Sequence, residues 1–210
     1  MAIAVPQQLE TALKEKLPGF EAHKEMMPYK RISPEEAKET LTPRQSAVML
    51  LLFPVNEEIH VLFIQRTEFG THSGQLAFPG GKKDPEDQDL LDTAIRETWE
   101  EIGIAQDKIT ILGKLSEVYI PPSNFLAQPY VGWMDRFPDL TLQPAEVQQV
   151  LTISLKQLFD PENRKSKEMV LPVFDVTVDV PYFDVNGYTL WGATALMINE
   201  FRWIYEAHFP

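Results

Sequence analysis

The glutamates near position 100 are the residues whose type and spacing best indicate chemistry. Glu97, Glu100 and Glu101 follow a predicted glycine turn, Gly80-Gly81, and an acidic loop. On an α-helix, Glu97 and Glu101 would lie about 40° apart, and Glu100 would lie about 60° from Glu97. Three carboxylates on one strip repel one another, so a compensating positive charge is expected. Clusters of oxygen ligands suit Mg²⁺ or Mn²⁺, which also bind substrate phosphates.

The helix that carries these glutamates is predicted to bury an apolar arc, and Glu97 and Glu101 lie at one edge of that arc. Gly103 is predicted to end the helix, and Trp99 falls opposite the apolar arc, which indicates a second packing surface such as a dimer partner or the N-terminal segment. From the helical pattern alone, the alternative to a metal site is a solvated acidic face whose charge is balanced by Arg96 and solvent. The residues that share the apolar arc are Leu91, Ala94, Ile95, Thr98 and Ile102.

Composition excludes several classes of function. The 210 residues include no cysteine, so disulfides, zinc-thiolate sites and thiol nucleophiles are ruled out. The formal net charge of -12 disfavours binding to a nucleic acid polymer or an anionic membrane. No apolar run reaches the roughly 18 residues that a membrane span needs, and the N-terminus lacks a basic region followed by an apolar one. We therefore predict a soluble, cytoplasmic protein.

The order of the predicted elements indicates an α/β (α+β) fold, an α/β/α sandwich with a mixed β-sheet. Residues 1–44 are predicted to form an N-terminal helical extension, in which Leu9, Leu13 and Leu17 recur at helical spacing and Ser33 caps a second helix. Residues 45–210 are predicted to form the main domain. The predicted strands are Ser46–Phe53, His60–Arg66, Ile109–Val118, Ala127–Trp133, Val147–Ile153 and two late strands within 170–190 that flank the turn Asn186-Gly187, followed by a helix at Gly192–Ala207.

The helical segment resembles the signature of the Nudix hydrolases, G-x5-E-x7-R-E-U-x-E-E-x-G-U, where U is aliphatic. Residues 96–104 match its second half, with Thr98 at an aliphatic position. Counting from Gly81, Asp87 stands at the first glutamate position and Arg96 arrives one residue late. The one-residue expansion and the segment preceding Gly81 are similar to the coenzyme A pyrophosphatase branch of the family.

In that branch a loop carrying Arg, His, Gly and Gln leads into Phe-Pro-Gly-Gly. Here His72, Gly74 and Gln75 agree, but Gly70 stands where the branch carries the arginine. The missing cation favours a different diphosphate substrate, such as ADP-ribose, a dinucleotide or a nucleoside triphosphate.

The resemblance implies a Nudix-type fold and a hydrolase that requires Mg²⁺ or Mn²⁺. It would split coenzyme A or acyl-coenzyme A into 3',5'-ADP and (acyl-)4'-phosphopantetheine. The alternatives are another diphosphate substrate or a Nudix domain that binds a ligand without catalysis. The expected partner is a small-molecule diphosphate, and a homodimer is possible.

The resemblance also implies roles for particular residues. Glu100 or, as a second candidate, Glu146 would act as the general base, and Arg96 would orient the glutamates. For the substrate-binding residues, simpler interpretations stay open: a surface position for the histidine, core packing for the phenylalanine and solvent exposure for the lysine. The implied metal ligands are the Gly81 carbonyl, Glu97, Glu100 and Glu101, and the implied substrate-binding residues are Arg66, His72, Gln75, Phe78 and Lys82.

Overall fold

The structure is a computed structural model that describes residues 4–67, 74–171 and 176–209. Its helices are α1 (Ala4–Ala12), α2 (Phe20–Lys24), α3 (Pro34–Thr40), α4 (Leu90–Ile102), α5 (Leu155–Leu158) and α6 (Gly192–His208). Its strands are β1 (Arg44–Val55), β2 (Glu58–Arg66), β3 (Leu76–Ala77), β4 (Gly80–Lys82), β5 (Thr110–Lys114), β6 (Val118–Ile120), β7 (Phe125–Trp133), β8 (Val147–Ser154), β9 (Arg164–Leu171), β10 (Val176–Val185) and β11 (Tyr188–Leu190).

Strand β1 is the centre of a mixed sheet. It pairs with β2 and β4 in the antiparallel sense and with β7 in the parallel sense. Leu50 and Leu52 pack on the side of the sheet that α6 covers, whereas Met49, Leu51 and Phe53 pack on the side that α4 covers. Burial on both faces explains why this strand is a continuous apolar run. The predicted sandwich with a mixed sheet is confirmed.

Two predicted boundaries in the main sheet are wrong. The first strand was expected to end at Phe53, before Pro54, but β1 continues to Val55. The β7 partner stops opposite Leu52, so Pro54 needs hydrogen bonds on one side only. Ile109–Val118 was expected to be one strand but is divided into β5 and β6, because Ser116 between them donates its N–H and hydroxyl to Glu200 of α6.

The late strands and the glycine pair also differ from prediction. Strand β9 begins at Arg164, well before Val170, and most of its residues are exposed, so an apolar alternation does not mark its start. The Asn186-Gly187 turn joins β10 to β11 as predicted. Gly80-Gly81 lies in the short strand β4, where a turn was expected. The pair is extended because it hydrogen-bonds beside β1.

The N-terminal segment packs against α6. Leu9, Leu13 and Met26 are buried in the same core cluster as the apolar residues of α6. Helix α1 ends at Ala12, so Leu13 and Leu17, which were predicted to belong to it, lie beyond its end. Ser33 caps α3 by accepting a hydrogen bond from the Glu36 N–H, as predicted. The division between 1–44 and 45–210 stays a prediction.

Candidate active site

The glycine pair is held against helix α4. Gly81 pairs with Ala47 of β1, and a Cβ atom on Gly81 would lie 2.5 Å from the carboxylate of Glu97. Glycine is therefore the residue that lets this carboxylate approach the backbone. On the next residue, the Gly80 N–H donates to Glu101 Oε2 at 2.9 Å. The strand and the helix thus bring two glutamates onto one short stretch of backbone.

Glu101 is a buried carboxylate with few partners. Its residue is 1% exposed, and besides Gly80 it contacts Arg66 Nη1 at 3.5 Å. Burial raises the pKa of Glu101 to about 7, opposed by the Gly80 hydrogen bond and by Arg66. Burial also raises the pKa of Glu97, and the charge of Glu146 adds to the rise at both glutamates. These carboxylates therefore share one partly desolvated region and repel one another.

Arg96 connects the glutamates to Asp87. Its Nε and Nη2 both donate to the Asp87 carboxylate at 2.9 Å. Its Nη1 donates to Glu97 at 2.9 Å and to Glu100 at 3.0 Å. The predicted role of Arg96 in orienting the glutamates agrees with these contacts.

Asp87 is itself fixed by other donors. It accepts hydrogen bonds from the Asp84 N–H at 2.9 Å and from the Thr93 hydroxyl at 2.8 Å. The hydrogen bonds from Arg96 hold the pKa of Asp87 well below its usual range. Asp87, at the first glutamate position of the signature, therefore anchors Arg96, although Arg96 comes one residue later than the signature places the arginine.

A cavity of about 730 Å³ opens beside these groups. Glu146 lines it, whereas Glu100 and Arg96 do not. Glu100 is exposed and ion-paired with Arg96. The other predicted residues that line the cavity are Arg66, Gln75, Phe78, Gly81, Lys82, Glu97 and Glu101. His72, like Gly70, lies outside the described residues.

Phe78 and Lys82 differ in their surroundings. Phe78 is 2% exposed and stacks on Phe63 with ring centroids 5.1 Å apart, so it is a core residue whose edge forms part of the cavity wall. Lys82 is exposed at the cavity, and its carbonyl accepts from Arg96 Nη2 at 3.1 Å.

Comparison with known proteins decides the family. A family model described as the NUDIX domain matches residues 43–174, which is more than half of the chain. The chain belongs to the Nudix family. Its helix α4, with Arg96 and the glutamates, carries the family signature, and the predicted enzyme class, a hydrolase of phosphorus-containing anhydrides, is confirmed.

Relatives with named activities are similar over most of the chain. The mitochondrial coenzyme A diphosphatase NUDT8 of Homo sapiens is 33% identical over 164 residues, covering 76% of this chain and 68% of the relative. The chloroplastic Nudix hydrolase 22 of Arabidopsis thaliana is 28% identical over 221 residues, covering 93% and 70%. These names place relatives in organelles, so the predicted cytoplasmic location stays a prediction. Within the described parts of the chain, none of the helices is long and apolar enough to cross a membrane.

Solved structures support the fold. The Nudix hydrolase RenU from M. smegmatis aligns with a TM-score of 0.55 at 14% identity, covering 80% of this chain and 88% of that one. A MutT/nudix family protein from Enterococcus faecalis aligns with a TM-score of 0.54 at 16% identity, covering 95% and 73%. At these identities the likeness concerns the fold alone.

The site fits a divalent cation by its chemistry. Across residues 4–67, 74–171 and 176–209, no three acidic or histidine side chains meet closely enough to hold a metal as they are placed. Arg96 instead bonds to Glu97 and Glu100. However, Glu97 and Glu101 are oxygen ligands with raised pKa values beside the Gly81 backbone. A hard cation would offset the repulsion between these two carboxylates, so the donor set suits Mg²⁺ or Mn²⁺.

Sequence reasoning missed several residues of the cavity wall. Tyr29 and Arg31 line it although they belong to the predicted N-terminal extension, and Ser123 lines it from the turn after β6. Neither a motif nor a spacing connects these residues to the glutamates, so their place in the cavity wall can be recognised only in the folded structure. Trp99 is 56% exposed, and the predicted homodimer stays a prediction.

Proposed function

We propose that this Nudix hydrolase splits the diphosphate of coenzyme A or acyl-coenzyme A into 3',5'-ADP and (acyl-)4'-phosphopantetheine, with Mg²⁺ or Mn²⁺. The observation that carries the proposal is the buried Glu101 beside Gly80-Gly81 at the wall of a large cavity. The choice of substrate is supported by the similarity to a relative named as a coenzyme A diphosphatase.

Four groups would hold the metal: the Gly81 carbonyl, Glu97, Glu100 and Glu101. When bound, it would neutralise the diphosphate oxygens and acidify the attacking water. The protein's own part is positioning. Arg96 donates from Nη1 to Glu97 and Glu100, and Asp87 holds the guanidinium in place by accepting from Nε. Lys82 lines the cavity, where its charge would attract the anionic diphosphate.

The geometry favours Glu146 as the general base over Glu100, which was the first candidate in the sequence analysis. Glu146 lines the cavity and is exposed, so its carboxylate can reach a water bound there and accept its proton. Glu100 lies outside the cavity lining and bonds to Arg96 at 3.0 Å. A base must reach the proton that it removes, which Glu146 satisfies more directly.

The size of the cavity supports a substrate larger than a diphosphate. Its volume of about 730 Å³ falls within the range of pockets that enclose small organic molecules. Val48, Phe125, Leu171 and Met197 give it apolar walls. These walls suit the pantetheine or acyl part of the proposed substrate.

The test is hydrolysis of a panel of diphosphates: coenzyme A, acetyl-coenzyme A, ADP-ribose and a dinucleotide, each with Mg²⁺, with Mn²⁺ and with chelator. We expect release of 3',5'-ADP from the two coenzyme A compounds, dependent on metal. A preference for ADP-ribose would refute the substrate and favour the alternative indicated by Gly70. Absence of turnover with every compound would refute the proposed reaction and favour the alternative of a domain that binds a ligand without catalysis.

A further inference from the structure

Unsatisfied polar atoms mark a second part of the cavity. Among the described residues, the buried side-chain polar atoms without a hydrogen-bond partner are Nε and Nη1 of Arg31, Oγ of Ser123 and Nδ1 of His60. Arg31 and Ser123 both line the cavity that also holds Glu97 and Glu101. Buried donors without partners are rare in folded proteins because each costs free energy. Their concentration in one wall therefore makes this wall suited to a ligand that accepts hydrogen bonds.

Arg31 is a cation without an acidic partner. Burial lowers its pKa, and the group that opposes this effect is Tyr29, whose ring lies 5.2 Å from the guanidinium carbon. No carboxylate of residues 4–67, 74–171 or 176–209 forms an ion pair with it, whereas Arg96 and Arg202 each bind several. A partly buried guanidinium in this state is stabilised by an anion.

The two residues lie together and apart from the glutamates. Ile32, next to Arg31, packs against the cluster that contains Tyr119 of β6, and Ser123 ends the turn that follows β6. Phe125, two residues after Ser123, pairs with Arg44 of β1, whereas Gly81 pairs with Ala47 on the opposite edge of β1. Three residues along a strand and two strand spacings across it amount to roughly 14 Å. That span exceeds a diphosphate, so an anion at Arg31 and Ser123 is a different group from the one at the glutamates.

We propose that Arg31 and Ser123 form a second anion subsite, which binds a phosphate monoester that the substrate carries outside its scissile diphosphate. The guanidinium and the hydroxyl supply donors to the phosphate oxygens, and Arg31 supplies the balancing charge. In coenzyme A this group is the 3'-phosphate of the nucleotide half. The inference rests on the proposed function, because it assumes that the diphosphate binds at the glutamates. It also gives the N-terminal segment a part in substrate selection, in place of the arginine absent at Gly70.

The decisive comparison uses coenzyme A and 3'-dephospho-coenzyme A, which differ by that phosphate alone. We expect kcat/KM of the wild-type enzyme to favour coenzyme A by about 10- to 100-fold, the usual effect of charge-assisted hydrogen bonds. Arg31→Met should lower kcat/KM for coenzyme A to the level of the dephospho compound, chiefly through KM, and leave the dephospho compound unchanged. Ser123→Ala should lose a smaller part of the preference, and Arg31→Lys should keep part of it.

Arg136→Met is the matched control, because it removes the same charge from an exposed position that does not line the cavity. It should leave kcat/KM unchanged for both substrates. Equal losses on both substrates in Arg31→Met, or a wild-type enzyme that does not distinguish them, would overturn the subsite.

A binding measurement separates this inference from the proposed function. Without metal, 3',5'-ADP should raise the melting temperature of the wild-type protein more than 5'-AMP does, and Arg31→Met should abolish the difference. If no diphosphate is hydrolysed but this difference is present, the proposed function fails and the subsite stands. If the two nucleotides act equally on the wild-type protein, the subsite is refuted whatever the activity. Ser123→Ala provides the same test should Arg31→Met fail to fold.

Discussion

Burying the charge of Glu101 costs folding free energy, and the residue lies at the centre of the candidate active site. The carboxylate is 1% exposed and its negative charge is offset by the Gly80 N–H and, at 3.5 Å, by Arg66. Its raised pKa of about 7 means that the folded protein binds a proton there more tightly than the unfolded chain does. The stability gained from this proton is complete below the unfolded pKa of about 4.3 and is lost as the pH rises through about 7. A residue that destabilises the metal-free protein at neutral pH is expected to serve function.

Glu101→Gln should separate these two effects. Gln removes the charge but retains an oxygen for the Gly80 N–H, so at pH 8 the metal-free variant should be at least as stable as the wild-type protein. Its turnover should fall by roughly 1000-fold, the equivalent of several kcal/mol of lost charge stabilisation. Urea unfolding and hydrolysis assays measure the two quantities, and Mn²⁺ should raise the melting temperature of the wild-type protein only. Activity within a few fold of wild type would exclude Glu101 as a ligand.

The choice between Glu146 and Glu100 is tested by a second pair of substitutions. Glu146→Gln should lower kcat by about 100- to 1000-fold with little change in stability, because Glu146 is exposed and lines the cavity. Glu100→Gln should have the smaller effect on kcat and should raise the metal concentration needed for half activity. Each variant is the control for the other. The reverse order of effects would restore Glu100 as the base.

At the scale of elements, the site forms where strand β4, which contains Gly80 and Gly81, packs against helix α4, which carries the glutamates. Gly80 has φ of 152°, and a Cβ atom on it would lie 2.3 Å from the Ala47 carbonyl oxygen. At Gly81 the corresponding obstacle is the Glu97 carboxylate, the far end of a flexible side chain. The two adjacent glycines therefore serve different purposes, one for the fold and the other for the glutamate.

Substituting each glycine by alanine should reveal that difference. Gly80→Ala should destabilise the fold by about 3 kcal/mol, because its Cβ meets backbone that cannot move easily. Gly81→Ala should cost far less stability but lower turnover by about 10- to 100-fold by displacing Glu97. Denaturant unfolding and single-substrate kinetics measure both effects, and each variant is the control for the other. Equal stabilities of the two variants would contradict this division.

The sequence predicted those elements whose pattern is local. The spacing of Glu97 and Glu101 on α4, the end of that helix at Gly103 and the double-sided burial of β1 follow from periodicity and turn chemistry. The division at Ser116 was missed because its cause, Glu200, lies far along the chain. The same limit applies to Arg31, whose place in the cavity depends on how the N-terminal segment packs. Long-range contacts, rather than local preferences, decided what sequence reasoning missed.

At the scale of the whole molecule, α6 ties the N-terminal segment to the sheet. Glu200, 0% exposed, accepts hydrogen bonds from the Gly19 N–H at 3.0 Å and from the Ser116 hydroxyl at 2.7 Å, and it lies 3.1 Å from His23 Nε2. Arg202 makes a second link at 2.7 Å to Glu25. Because these contacts hold the segment that carries Arg31, they connect stability with the shape of the cavity.

Glu200→Gln should weaken this connection in a pH-dependent manner. Burial acts to raise the pKa of Glu200, but the hydrogen bonds from His23, Ser116 and Gly19 outweigh it and hold the pKa below its usual value. The stability that Glu200 contributes is therefore present above the unfolded pKa of about 4.3 and is lost as the pH falls through the lower folded value. At pH 7 the free energy of unfolding of the variant should be lower by about 2 kcal/mol, and its stability should fall less steeply than that of the wild-type protein below pH of about 4.3.

Glu10→Gln is the control, because it removes only an exposed contact with Lys14. Its stability should follow the same pH dependence as that of the wild-type protein. Urea titrations across this pH range measure the difference, and parallel curves for Glu200→Gln and wild type would show that the charge of Glu200 does not hold the N-terminal segment in place.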